Sequence, residues 1–285
     1  MHCIPFFFAF KIQRRDNTWM KDILDVAIAA AKAAGASIQE AANDLSVLNI
    51  EQKSPNDFVS EVDRNAEQIV VNYIKNAFPD HCVLGEEYGT QGGGDSRYTW
   101  VVDPLDGTTN FLRSLPHYAV SIAVLKGQEI ECAVVFDPAK NELFTALRGG
   151  GAYLNSTKIS VSASTSVRGT LLSTGVPFSG KNLEKIDSFT KTMTLLLEQQ
   201  TSGIRRFGAA ALDLAYVAAG RYDGFWEANL QKWDIAAGIL LVTEAGGVVS
   251  DFNGEQQFLD SGDVIAAPAG VHSGMQLIAQ RCYSE

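Results

Sequence analysis

Asp103 and Asp106 stand three residues apart in WVVDPLDGTTNF (100–111), where an apolar run ends in a turn containing Pro104 and Gly107. Pro104 removes one backbone donor and holds Asp103 out of helix, while Gly107 permits a sharp bend. A D-P-L-D-G turn of this kind can aim both carboxylates and the Leu105 carbonyl into one pocket. Thr108, Thr109 and Asn110 add hydroxyls and an amide beside backbone N–H groups, a suitable cradle for a phosphoryl group. Glu86 and Glu87 end a second apolar stretch, VLG, and Asp234 follows Trp233 at the head of IAAGILLVTEA. Singly, each has an ordinary structural use as turn former, solvated acid or helix cap. An apolar helix such as the last should be buried, however, and a carboxylate at its inner end is costly unless paired or metal-bound. Together Glu86, Asp103, Asp106, Asp234 and the Leu105 carbonyl make a hard-oxygen set without thiolate or imidazole, which favours Mg²⁺ or Mn²⁺ over zinc or copper. Two such ions sharing a bridging aspartate would polarise a phosphate and activate a water.

The whole chain supports that emphasis on cations. Its 285 residues are 46% hydrophobic and 20% charged, with a net charge of −10, as in an ordinary soluble protein. That charge argues against gripping nucleic acid by summed basic charge, and an anionic small substrate requires bound cations to reverse the local field. The four cysteines are scattered without a CxxC pair and read as reduced packing residues of a cytoplasmic protein. The four histidines are equally dispersed, and His117 beside Pro116 reads as packing or turn. CIPFFFAF at the start is only about eight residues long and its basic residues follow it, so it reads as neither a membrane span nor a signal peptide. A helical pattern begins at Met20 with Asp22 as N-cap, so residues 1–19 are read as an extension ahead of a natural start at Met20.

The elements that must position these acids alternate. After the first helix, QKSPNDFVSEVDRNAEQIVVNYIKNAF reads as a polar turn leading into a helix with Val62, Ala66, Ile69, Val70, Tyr73 and Ile74 on its buried face. VLGEEYG and TWVVD read as strands, and YAVSIAVL, EIECAVVF and ELFTALR as a three-stranded antiparallel meander. The Ser/Thr-rich NSTKISVSASTSVR (155–168) is a domain connection, dividing the chain into an N-terminal half at 20–158 and a C-terminal half at 159–285. The second half continues with strand LLSTG, a helix over about 182–200, helix AALDLAYVAAG stopped by Gly220, strand RYDGFWEA, helix WDIAAGILLVTEAGG and strand VVSDFNGE. Such alternation predicts a layered α/β protein with mixed sheets.

At this point the chain resembles the inositol monophosphatase family, and within it the bacterial SuhB-type members. GEE (85–87), WVVDPLDGTTNF (100–111) and WDIAAGILLVTEAGG (233–247) carry the match in order, from Met20 to the C-terminus. The resemblance implies a five-layer αβαβα sandwich, commonly dimeric. It implies that Glu86, Asp103 and the Leu105 carbonyl hold a first Mg²⁺. Asp103, Asp106 and Asp234 would hold a second, and a third, weaker ion would lean on Glu86. Glu87 and Thr108 would orient and activate the attacking water, with Asp63 supporting Thr108 from within the family's mobile loop, at whose start stands Lys53. Gly107 and Thr108 would present N–H groups to the phosphate, and Glu227, Gly208 and Ala210 would line the substrate. The implied reaction is in-line hydrolysis of inositol monophosphate and related polyol phosphates without a phosphoenzyme, sensitive to lithium.

Relatives with the same acids keep other substrates open. Fructose-1,6-bisphosphatase and histidinol-phosphate phosphatase activities are alternatives. A nucleotide 3′-phosphatase fits less well, since that branch shows LDGTKEF where this chain has LDGTTNF. From a different class, the resemblance implies a partner role with Nus factors and RNA polymerase in ribosomal RNA transcription. The basic pair Arg205 and Arg206 in GIRRFG is either part of such an interface or a structural surface pair.

Overall fold

The computed structural model describes residues 7–43, 45, 50–54, 57–92, 97–177 and 183–283, with 7–18, 50–54 and 57–60 as backbone only. Lys53 and the centre of the Ser-Pro-Asn turn therefore lie outside the described side chains. Helix α1 (Phe7–Ala41) and helix α2 (Glu61–Ala77) enclose an antiparallel hairpin of β1 (Ile50–Ser54) and β2 (Asp57–Ser60). No Gly or Pro stands between Phe7 and Asp22, so nothing stops α1 from starting early, and Asp22 is an exposed position inside the helix instead of its cap. Ile23, Ala27, Ala30, Ala31, Ala34 and Ile38 form its buried stripe at spacings of three and four. On α2 the buried stripe is Val62, Ala66, Val70, Val71 and Ile74, whereas Tyr73 is exposed. The same face also buries two acids, Asp63 and Glu67.

The first sheet has eight strands: β3 (Cys82–Gly85), β4 (Gly89–Gln91), β5 (Tyr98–Asp106), β6 (Ala119–Lys126), β7 (Glu129–Asp137), β8 (Glu142–Leu147), β9 (Gly151–Leu154) and β10 (Thr157–Lys158). Their order is β10-β9-β8-β7-β6-β5-β3-β4, and only the β3–β5 pair is parallel. The meander is β6–β8, joined by tight turns as its strand lengths demand. A short helix, α3 (Thr108–Leu112), follows β5.

The C-terminal half contributes β11 (Leu171–Thr174), α4 (Ile186–Glu198), β12 (Gly203–Arg205), α5 (Ala210–Ala218), β13 (Gly224–Glu227), α6 (Lys232–Glu244), β14 (Val248–Ser250), α7 (Phe258–Ser261), β15 (Val264–Ala267) and α8 (Ala269–Tyr283). Its five strands run β12-β11-β13-β15-β14, parallel on the β11 side and antiparallel around β15. The β15–α8 unit lies beyond the elements expected from sequence.

Three apolar cores define five layers. Trp100, Val102, Val120, Ile122 and Val134 pack on α1 and α2. The opposite face of the same sheet, with Val101, Ala119, Ala123 and Val135, packs on α5 and α6, which in turn meet Phe225, Val264 and Ala266 of the second sheet. The outer face of that sheet, with Leu172, Trp226 and Ile265, is covered by Leu196 of α4 and by Val271, Met275 and Ala279 of α8. The result is an αβαβα sandwich. Its central strands are buried on both faces, which is why they read as continuous apolar runs.

Candidate active site

A bulge in β5 turns the three-residue spacing of the aspartates into a shared direction. Side chains three apart on a regular strand face opposite ways. Here Asp103 pairs with Ser121 but Asp106 pairs with Ala119, so one extra residue is inserted and the alternation resets. Both aspartates consequently lie on the face toward α5 and α6, where Ser121 Oγ donates to the Trp233 carbonyl (3.2 Å). Asp103 is 2% exposed and its Oδ1 accepts the Leu105 N–H (3.0 Å). Gly107, at φ 92°, then makes the left-handed step into α3. Asn110 clamps the turn by donating to the carbonyls of His117 (2.8 Å) and Phe207 (2.7 Å), which brings it against Gly208.

Three other elements converge there. From α2, Asp63 accepts the Thr108 hydroxyl (2.9 Å), which also lies 3.1 Å from the Leu105 carbonyl. From the second half, α5 begins at Ala210 with Ala209 before it, which offers no side-chain cap. Asp106 supplies one from β5, its Oδ2 accepting the Ala211 N–H (2.7 Å). Asp234 stands at the third position of α6, not at its cap, and its Oδ2 reaches back to the Gln231 N–H (2.7 Å). Asp106 and Asp234 line one cavity of about 210 Å³ together with Gly208, Ala210, Glu227, Arg206, Phe189 and Tyr283.

Burial acts first on the electrostatics of this group, and its own acids add to it. Burial, followed by Glu86, Asp106 and Asp234, pushes the Asp103 carboxyl well above the usual carboxylate range. Asp106 is pushed up to about 7 by burial and by Glu86, against the opposing N–H groups of Ala211, Ala210 and Leu212. Glu227 rises to about 8, again through burial first and Asp234 next. Asp213, buried on α5 behind them, is raised by burial, Glu227 and Asp106. The leading charges on Asp103 are all anionic, and the donors are all oxygens, a set that fits a hard divalent cation such as Mg²⁺. Among the described residues, no three His, Cys, Asp or Glu side chains are already drawn around a single point.

Residues outside the expected set also contribute. Gly175, after β11, donates its N–H to Glu227, and a Cβ there would fall inside the Glu227 carboxylate. On the expectation that Glu227 lines the substrate, Gly175→Ala should displace it and raise KM by about tenfold, the loss of one hydrogen bond, with kcat within about threefold. Steady-state kinetics on wild type and variant checks this, and an unchanged KM contradicts it. Arg205 and Arg206 are both exposed; Arg206 also lines the cavity, whereas Arg205 ends the edge strand β12. Neither Gly175 nor Glu67 carries a sequence signal by residue type. Glu67 does fall four residues after Asp63, one helical turn further along.

The αβαβα sandwich thus brings Asp106 from the first sheet, Glu227 from the second and Asp234 from α6 to one pocket. Residues 19–284 match the inositol monophosphatase family, and the chain belongs to it. It is 49% identical over 249 residues to the Nus factor SuhB of Pseudomonas aeruginosa, covering 87% of this chain and 92% of that protein. The extragenic suppressor protein SuhB of Bartonella henselae superposes with a TM-score of 0.87 at 41% identity, over 91% of this chain and 99% of the other. An inositol monophosphatase from Anabaena (Nostoc) superposes at 0.79 and 33% identity, over 92% and 96% of the two chains.

Proposed function

We propose that this protein is a Mg²⁺-dependent phosphomonoesterase acting on inositol monophosphate and related polyol phosphates. The observation that carries the reading is the β5 bulge, which turns Asp103 and Asp106 toward the face where Asp234 begins α6. Glu86, Asp103, Asp106, Asp234 and the Leu105 carbonyl would hold two or three Mg²⁺, with Mn²⁺ as substitute. Bound there, the ions supply the positive field for a phosphate and lower the pKa of a water. Thr108, steadied by Asp63, and Glu87 orient that water by hydrogen bonding. The N–H groups of Gly107 and Thr108 face the phosphate, and Glu227, Gly208 and Ala210 form the wall against the alcohol. Phosphate release from inositol, sugar and nucleotide monophosphates and fructose-1,6-bisphosphate, with and without Mg²⁺, tests the reading and separates the alternatives. No Mg²⁺-dependent release from any of them overturns it, and lithium titration probes the same site.

A second reading, compatible with the first, follows from the relatives named Nus factor SuhB. Arg205 and Phe207 are both exposed at the edge of the second sheet, an arrangement suited to a protein partner such as a Nus factor or RNA polymerase, or to a homodimer contact. Arg205→Ala is expected to weaken capture of these partners severalfold in a pull-down, with the mass in solution read by sedimentation in parallel. Unchanged capture assigns Arg205 to the bare surface. No described helix is long and apolar enough to cross a membrane, and a cytoplasmic location accords with both readings.

A further inference from the structure

The turn that carries Glu86 and Glu87 is held by a carboxylate from another element. Glu67 is fully buried on α2, and it accepts the Glu87 N–H at Oε2 (2.8 Å) and the Tyr88 N–H at Oε1 (3.1 Å). A Cβ on Gly85 would fall inside this carboxylate, so GEE begins with glycine because Glu67 occupies the adjoining space. Glu67 follows Asp63 by one helical turn, and the two acids project from the same face of α2. Asp63 takes the Thr108 hydroxyl, and Glu67 takes the backbone of Glu87.

We infer that Glu67 is a positioning residue for the Glu86–Glu87 turn, so that one face of α2 sets Thr108 and Glu87 in register with each other. α2 then acts as a rigid spacer between the two turns, one after β3 and one after β5, that the proposed reaction uses on its water. A charge-assisted fork of two N–H groups onto one carboxylate is stronger and more directional than a neutral pair, and it fixes the peptide planes from which both glutamates project. Glutamine can accept from only one of those N–H groups, because its amide nitrogen is a donor. The inference rests on the phosphatase reading for what the turn does, but not for how the turn is held.

The test compares wild type, Glu67→Gln, Gly85→Ala and the double variant by two independent measurements. Hydrogen exchange on the metal-free proteins is expected to show the Glu87 and Tyr88 amides exchanging at least ~10-fold faster in each variant. Steady-state assays with Mg²⁺ are expected to show kcat lowered about 10- to 100-fold, with KM within about threefold and more Mg²⁺ needed for half-activation. Because both substitutions act on the same fork, the double variant should be no worse than the more severe single one. A lowered Tm with unchanged kcat and unchanged amide exchange overturns the inference and makes Glu67 an ordinary buried cap. If wild type itself releases no phosphate, the phosphatase reading falls, and the exchange data still decide whether Glu67 holds the turn.

Discussion

On the proposed reaction, Asp106→Asn and Asp234→Asn are each expected to reduce Mg²⁺-dependent phosphate release by at least ~100-fold, the effect of removing a charged metal or transition-state contact worth ~3 kcal/mol. The isosteric change keeps the local structure. Asparagine at 106 still offers an oxygen to the Ala211 N–H, and at 234 it still reaches the Gln231 N–H, so both helices remain capped. What is lost is one negative charge facing the cavity. The loss should therefore appear in kcat and in the Mg²⁺ dependence, while circular dichroism and Tm stay near wild type. Near-normal Mg²⁺-dependent turnover in both variants would refute the assignment of these acids.

The same crowding of acids predicts a second large effect, with the opposite sign. Asp103 and Asp106 have folded-state pKa values raised above those of the unfolded chain, so their contribution to stability is full at low pH and is lost as pH rises through the folded values. For Asp106 that loss runs from about 4, where the unfolded chain ionises, up to about 7, and is complete above it. Metal-free protein should accordingly lose stability between roughly pH 4 and 8, with Glu227 extending the loss to its upper end, near 8. Asp103→Asn keeps an oxygen for the Leu105 N–H and cannot ionise. It is expected to stabilise the metal-free protein at pH 8, seen as a Tm above that of wild type. Mg²⁺ should narrow or reverse the difference, because it stabilises wild type by binding the folded state. Calorimetry of both proteins at pH 5.5 and 8, with chelator and with Mg²⁺, measures all four corners. A metal-free Asp103→Asn that melts below wild type at pH 8 sinks the electrostatic account.

These two effects belong to one design feature. Under the proposed function, the carboxylates that would bind cations destabilise the bare fold by burial and mutual repulsion, and the surrounding layers hold it together. Trp100 on β5, Phe111 on α3, and Leu212 and Ile235 on α5 and α6 are among the most buried side chains of the described residues. They provide rigid backing for a region that electrostatics alone would spread apart.

Local chemistry was legible in the residues themselves. The strand ending at VLG and the apolar helix behind Asp234 depend on neighbours in the chain, and the structure has both in place, whereas the strand through TWVVD runs on to Asp106 before the chain turns at Gly107. The choice of hard-oxygen chemistry also follows from residue type alone. Other features depend on which segments meet, which no local pattern states. A regular β5 would have split Asp103 from Asp106, and only pairing with β6 creates the bulge that unites them. Asp106 caps α5 across 105 positions of sequence, and Asn110 reaches Phe207 across 97. Glu67 looks like one more polar position on an amphipathic helix until α2 is laid against β3, and Arg206, an exposed charge, lines the cavity only because the chain after β12 passes it. The sequence by itself determined which groups could bind a cation and a phosphate, because ionisation and donor type are properties of single residues. Tertiary structure alone decided which of them face one another, because burial and direction are set by the packing of distant segments.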